Sequence, residues 1–250
     1  MKITILGCGG SFGSPLAWNR YGNIDLKNKR NFRTRSSILI EHNGKNILID
    51  TSPDLRQQLY NAKCTNIDLV LYTHIHSDHV AGLPDMRAMS LINNKIIPAY
   101  MPNEMIKEME TTYKYIFKGD KDYLPFMEIK ELKNNIDFQN INIETFHHNH
   151  GSINAQTYKI GKFAYSTDIK KFYNKDIEKL KNLDLWIVGL LREEPHPSHA
   201  GFDQIMEFIS YIKPKKTIFT HMTALLDEKQ LIDKCPPEVR PGYDGMIIDL

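Results

Sequence analysis

Cysteine is scarce in this chain of 250 residues: Cys8, Cys64 and Cys235 are the only three, and they stand far apart. An odd, scattered set builds neither a disulfide framework nor a cysteine zinc module. Long apolar runs are missing as well. None approaches the roughly 18 residues of a membrane span. Ile5-Leu6-Gly7-Cys8 looks superficially like a lipoprotein cleavage box, but only a few apolar residues precede it, where an export signal needs roughly 7–15. A cytoplasmic protein is expected. Charge of one sign is also lacking, because 32 basic and 30 acidic residues leave a formal net charge of +2. That balance announces neither a nucleic acid nor a membrane as partner. The glycine loop at 7–13 has Phe12 where a dinucleotide fingerprint needs glycine, and Pro15 where its helix should begin. A tight loop beside a site is the better reading.

What is present is an ordinary globular composition, 41% hydrophobic and 25% charged. The chain is long enough to bury a sizeable core. It shows no linker, no low-complexity tract and no repeat, so one domain over 1–250 is expected. Ser37-Ile-Leu-Ile-Glu41 and Asn46-Ile-Leu-Ile-Asp50 flank Asn43-Gly44 and predict a hairpin. Ser52-Pro53-Asp54 predicts a helix start, with Leu55 and Leu59 on its apolar face. Residues 67–72 read as a strand buried on both faces. A helix is expected over 80–91 and a long amphipathic one from Asn103 to about 117. Strands are expected near 141–146, 156–160, 162–165, 185–190, 217–220 and 246–248, with helices near 175–183 and 202–212. Hairpins and long strands beside packing helices indicate an α/β protein with mixed sheets.

The stretch YTHIHSDHVAGLPD, from Tyr72 to Asp85, carries the chemistry. His74 and His76 follow a buried strand at its carboxyl end, where open α/β sheets place their ligands. Two apart in extended backbone, they point the same way and can grip one ion. Asp78 and His79 are adjacent and face a second position. A structural zinc would want four closed ligands with thiolates. Imidazoles and carboxylates in two pairs instead indicate a two-metal catalytic site, with ions about 3.5–4 Å apart.

Thr73-His74-Ile75-His76-Ser77-Asp78-His79 resembles the T-H-x-H-x-D-H signature of the metallo-β-lactamase superfamily. Asp50 after the hairpin, His150 in HNHGS, Asp168 in YSTD and His221 in FTHM fall where that family has its other site residues. LGCGGSFGSP, RTRSS, PHPSHAGFDQ and the closing PGYDGMIID resemble its PhnP-like phosphodiesterases most. The resemblance implies an αββα sandwich, two mixed sheets packed face to face with helices on both outer faces. It implies two divalent ions, zinc or manganese, with His74, His76 and His150 on one, Asp78, His79 and His221 on the other, and Asp168 bridging. PhnP itself carries a cysteine cluster for an extra structural zinc; here WNRYGNIDLKN has no cysteine, so that zinc is expected to be absent.

The resemblance implies hydrolysis of a small cyclic or linear phosphodiester, a nucleotide or short oligonucleotide among the candidates, by hydroxide supplied with Asp168 and the ions. Asp78 and Asp168 thereby join the catalytic set, and His199 matches a histidine that PhnP-like enzymes use as general acid. Arg33 and Arg35, in a basic segment from Arg20 to Arg35, are candidate substrate contacts, against the reading of that run as a solvated face. A homodimer is compatible with all of this. An RNase Z-type tRNA-processing enzyme is the serious alternative, but it usually inserts a long arm between the positions of His150 and Asp168. A glyoxalase-type thioesterase shares the histidine cluster. A binding protein that has lost its chemistry would first lose ligands, and none is missing. His42 is expected to be solvated in the hairpin turn, His147 and His148 to lie at the surface or just behind the ligands, and His196 to sit in a loop or line the substrate pocket.

Overall fold

The computed structural model describes residues 1–17 and 22–250, so Arg20 and the start of the cysteine-free stretch lie outside the described residues. Alternation decides the layering. In β1 (Lys2–Gly7), β2 (Ser37–His42), β3 (Lys45–Ile49) and β4 (Leu69–Leu71), successive side chains leave opposite faces of the sheet. Ile38 and Ile40, Ile47 and Ile49, Leu69 and Leu71 therefore enter one core, while Leu39, Leu48 and Val70 enter another. The first core lies between two sheets, and the second lies under helices.

The first sheet continues through β5 (Ile97–Met101) and β6 (Met127–Glu131). The second comprises β7 (Asn135–Phe138), β8 (Ile141–His150), β9 (Ile153–Ile160), β10 (Phe163–Ser166), β11 (Lys171–Phe172), β12 (Leu185–Gly189), β13 (Thr217–Thr220) and β14 (Val239–Pro241). The last strand, β15 (Ile247–Asp249), returns to pair with β1 in the first sheet. Strand orders are β15-β1-β2-β3-β4-β5-β6 and β11-β8-β9-β10-β12-β13-β14, with β7 also on β8. Both sheets join an antiparallel run, β1-β2-β3 or β8-β9-β10, to a parallel one. Both are mixed, as expected.

Helices cover the outer faces. α1 (Leu55–Asn61), α2 (Ser77–Val80), α3 (Met86–Asn93), α4 (Asn103–Thr112) and α5 (Lys114–Lys118) belong to the first half. α6 (Phe202–Ile212) and α7 (Glu228–Lys234) belong to the second, where Ile205, Ile209 and Ile212 of α6 join the core. The helix expected over 80–91 is broken. A Cβ at Gly82 would sit 1.9 Å from the Ser52 carbonyl oxygen, and Pro84 opens a separate 3-10 turn before α3. The amphipathic helix from Asn103 breaks at Tyr113 (φ −114°, ψ 35°), and the one expected near 175–183 is a 3-10 helix, Asn174–Leu180. Among the described residues, no helix is long and apolar enough to cross a membrane.

Candidate metal centre

Five of the seven candidate ligands sit at carboxyl ends of strands. His74 and His76 follow β4, His150 ends β8, Asp168 lies two residues past β10, and His221 lies one past β13. The single turn of α2 then brings Asp78 and His79 back over the strand ends. Three residues of the site turn their backbone into the left-handed region: Asp50 (φ 62°), Asp168 (φ 53°) and His221 (φ 57°). Non-glycine residues enter that region seldom, Asp and His more readily than most. Such strain persists where the surroundings impose it, commonly at working sites. At Asp168 the surroundings include Gly189, whose missing Cβ would lie 2.8 Å from the Asp168 amide nitrogen.

Hydrogen bonds away from the centre set the imidazole tautomers. Thr73 Oγ1 donates to Asp50 Oδ2 (2.8 Å), so at 3.0 Å it accepts from His74 Nδ1. His79 Nδ1 donates to Asp50 Oδ2 at 2.7 Å, and His150 Nδ1 donates to the Ser198 carbonyl at 2.9 Å. With Nδ1 protonated in all three, each ring in its neutral form presents its Nε2 lone pair inward, the arrangement metal-binding histidines adopt, and His79 must shed its second proton to do so. His74 Nε2 and His150 Nε2 then converge on His76 Nδ1, at 3.0 and 3.2 Å. One proton on His76 can satisfy only one of them.

Buried His79 Nε2 also lacks a hydrogen-bond partner among the described residues. It lies 3.4 Å from Asp78 Oδ2 and 3.3 Å from Asp168 Oδ2. His221 Nε2 is 3.2 Å from Asp78 Oδ2 and 3.3 Å from Asp168 Oδ1. Convergent lone pairs beside buried carboxylates are the donor set a divalent cation needs, so the residues fit a metal. They form two triads, His74–His76–His150 and Asp78–His79–His221, and Asp168 groups with His74 and His150 of the first, with His79 of the second, and with His199.

The electrostatics run the same way. Burial alone would lower the His79 imidazole, but Asp168, Asp50 and Asp78 outweigh it and raise it well above its ordinary value. Burial would raise the Asp168 carboxyl, yet His221 and His79 hold it well below the usual carboxylate range. His74 moves down through burial and its cationic neighbour His79. The site concentrates negative charge and draws positive charge to it.

Residues behind the ligands orient them: Asp50 was expected at the site and His148 at the surface or behind the ligands, whereas Thr167 and Ser198 were not foreseen. His148 is fully buried, and its Nε2–H donates to the Thr167 carbonyl at 2.7 Å; Thr167 Oγ1 in turn donates to Asp168 Oδ2 at 2.5 Å. Ser198 holds His150, so PHPSHAGFDQ orients a ligand as well as presenting His199. Asp50 fixes two histidines through Thr73 and His79. Asp50→Asn is expected to lower metal affinity about 10–100-fold, the usual effect of losing such a partner. Competition with a chromophoric chelator measures it, and unchanged affinity would leave Asp50 no orienting part.

His199 is brought to the centre, with Nε2 3.7 Å from Asp168 Oδ1 and its ring stacked on His221 at 5.5 Å between centroids. His196 sits 5.6 Å from His199, centroid to centroid. The two arginines differ. Arg33 is 2% exposed and turns inward, donating to the Thr223 and Leu226 carbonyls (3.2 and 2.9 Å) and to Asn31 Oδ1 (3.0 Å). It ties the RTRSS segment to the chain just beyond His221. Arg35, with its side chain 27% exposed, pairs with Asp54 at 3.0 Å. Arg33→Ala is expected to lower stability by roughly 1–3 kcal/mol, because the carbonyls it serves stay buried and unpaired. Urea denaturation reads this, whereas a raised KM with unchanged stability would return Arg33 to substrate contact.

Residues 45–222 match the β-lactamase superfamily domain. An octanoyltransferase of Porphyromonas gingivalis is 34% identical across 100% of the chain, which covers 52% of that protein. A ribonuclease Z of Clostridium kluyveri is 28% identical over 73% of the chain and 54% of its own length. The chain thus spans about half the length of these two curated relatives. Among solved structures, a diphosphatase from the PhnP family superposes with a TM-score of 0.90 at 27% identity, covering 100% of this chain and 97% of that one. Human tRNase Z, short form, shares the fold at a TM-score of 0.71 and 19% identity, covering 100% of this chain and 99% of that one. Since the matched span takes in well over half of the chain and all seven candidate ligands, the chain belongs to the β-lactamase superfamily.

Proposed function

We propose that this protein is a metal-dependent phosphodiesterase that hydrolyses a small cyclic or linear phosphodiester at a two-metal centre. One observation carries the reading: the carboxylate of Asp168 lies between two ligand triads, within reach of members of each, and the imidazole of His199 stands beside it. His74, His76 and His150 would hold one ion, Asp78, His79 and His221 the other. When bound, zinc or manganese there would lower the pKa of water and polarise the phosphoryl oxygens. Hydrolysis places a water oxygen on phosphorus, breaks one P–O ester bond, and sends a proton to the departing alkoxide. The chain's own part is to fix the ligands through Asp50, Thr73 and Ser198, to bridge through Asp168, and to offer His199 to the leaving oxygen. The likeness to a PhnP-family diphosphatase supports phosphorus chemistry, and a cytoplasmic setting accords with the absence of a membrane-spanning helix among the described residues.

The ribonuclease Z relatives give a second reading, tRNA 3′ processing. Against it, β9 and β10 occupy the chain between His150 and Asp168, with short turns and no arm. A panel of cyclic and linear diesters, with a tRNA precursor, a thioester and a β-lactam beside them, tests the proposal under zinc and manganese. Turnover of a small diester, lost on chelation, is the expected result. Cleavage of the thioester alone, or of the tRNA precursor alone, overturns it.

A further inference from the structure

A cavity of about 530 Å³ opens against the metal centre on the side of His74. Its size lies within the range of small-ligand pockets. Three parts of the chain wall it: Ile75 beside the ligand loop, Ser152 to Asn154 at the start of β9, and the first half of α4. Ile75, Pro102, Met105 and Ile153 make its surface largely apolar. Glu104 and Glu108 also line it, four residues apart and so on one face of α4. Both are exposed, no lysine or arginine lines the cavity, and the one ion pair from α4 among the described residues belongs to Glu110. A groove that meets a phosphate-handling centre at one end thus carries two uncompensated carboxylates along its side.

We propose that this groove receives one alcohol half of the diester, and that Glu104 and Glu108 select a half that is rich in hydrogen-bond donors and carries no negative charge. The inference rests on the phosphodiesterase reading and goes beyond it by naming the substrate class. Carboxylates only accept hydrogen bonds, so hydroxyl or ammonium groups on the substrate satisfy them. The apolar floor takes the carbon skeleton between those groups. A second phosphate or a carboxylate in the same place meets like charge at close range, which changes affinity by roughly tenfold at partly exposed sites. A polynucleotide strand, with a phosphate on every residue, is therefore a poor occupant.

The test uses the metal-loaded full chain and two diesters that differ in one alcohol, 2-aminoethanol against glycolate. Turnover gives kcat/KM, and titration of the matching phosphonates, which are not cleaved, reads binding separately. The wild type is expected to favour the aminoethyl probe by roughly tenfold or more, mostly in KM, with the preference shrinking as salt is raised. Glu104→Gln with Glu108→Gln keeps the shape, removes the charge, and should bring that ratio near one while metal content stays unchanged. A wild-type preference for glycolate, or a ratio unmoved by the double substitution, overturns the inference. Failure to cleave either diester overturns the phosphodiesterase reading instead, and the phosphonate titrations still decide the groove.

Discussion

Asp168→Ala is expected to remove metal and activity together. The side chain stands between the two triads, 3.3 Å from His79 Nε2, 3.3 Å from His221 Nε2 and 3.7 Å from His150 Nε2. Alanine leaves two divalent ions to share one cavity with a unit less negative charge between them. Metal analysis should fall from two ions per chain to one or none, and turnover should drop to the chelated background. A wild type that is fully active with one ion per chain would end the two-metal reading.

The protonation of His79 adds a pH signature to that experiment. Its folded pKa is raised, so its pairing with Asp168, Asp50 and Asp78 stabilises the metal-free fold fully below the unfolded imidazole value of about 6.5. That contribution is lost as pH rises through the folded value. Metal binding has the opposite sign, since an imidazole must be deprotonated to ligate. Melting temperature under chelator should decline from about pH 6.5 upward, while the increment given by added zinc should grow. Parallel pH trends with and without metal would show that His79 takes no part in the metal's site.

How far the sequence foretold this follows from the range of the interactions involved. Part of the candidate ligand set was legible because its chemistry is local, His74 to His79 lying within one loop and turn; His150, Asp168 and His221 are far apart in sequence and were reached only through the family resemblance. The hairpin of β2 and β3 was legible from its two β-rich runs around Asn43-Gly44, whereas the two-sheet sandwich followed only from the family resemblance. Strand β5 was not, because Pro98 lies inside it; the structure tolerates that proline because pairing with the short β4 begins only at Ala99. The helix expected over 80–91 is interrupted at Gly82 and Pro84, poor helix residues already visible in the sequence, and the closeness of the Ser52 carbonyl to Gly82 adds a tertiary reason that propensity does not contain. The orienting contacts were hidden similarly. Ser198 is 48 residues from the histidine it holds. Arg33 read as part of a solvated or substrate-facing basic run, and burial gives it carbonyls instead.

The second large effect belongs to His199. Burial pushes its imidazole down to about 3, Asp168 opposing the shift and His221 and His150 adding to it. Without substrate the ring is therefore neutral at pH 7, and an acid in waiting must gain its proton when an anionic phosphate arrives beside it. Cleavage of a diester expels an alkoxide, a poor leaving group unless it is protonated, and a positioned donor is worth roughly 10²–10⁴ in rate. His199→Ala should thus keep both metals and its melting temperature while turnover falls by that factor. The loss should shrink for a nitrophenol leaving group, whose anion barely needs a proton. The pH profile separates the two states of the enzyme, because kcat/KM reports groups in the free enzyme and kcat those in the complex. No His199 ionisation is expected in kcat/KM between about pH 5 and 8, whereas the kcat profile of the wild type should carry a basic limb that His199→Ala abolishes. Equal losses for acidic and basic leaving groups, with that limb intact in the variant, would move the proton donation to another group.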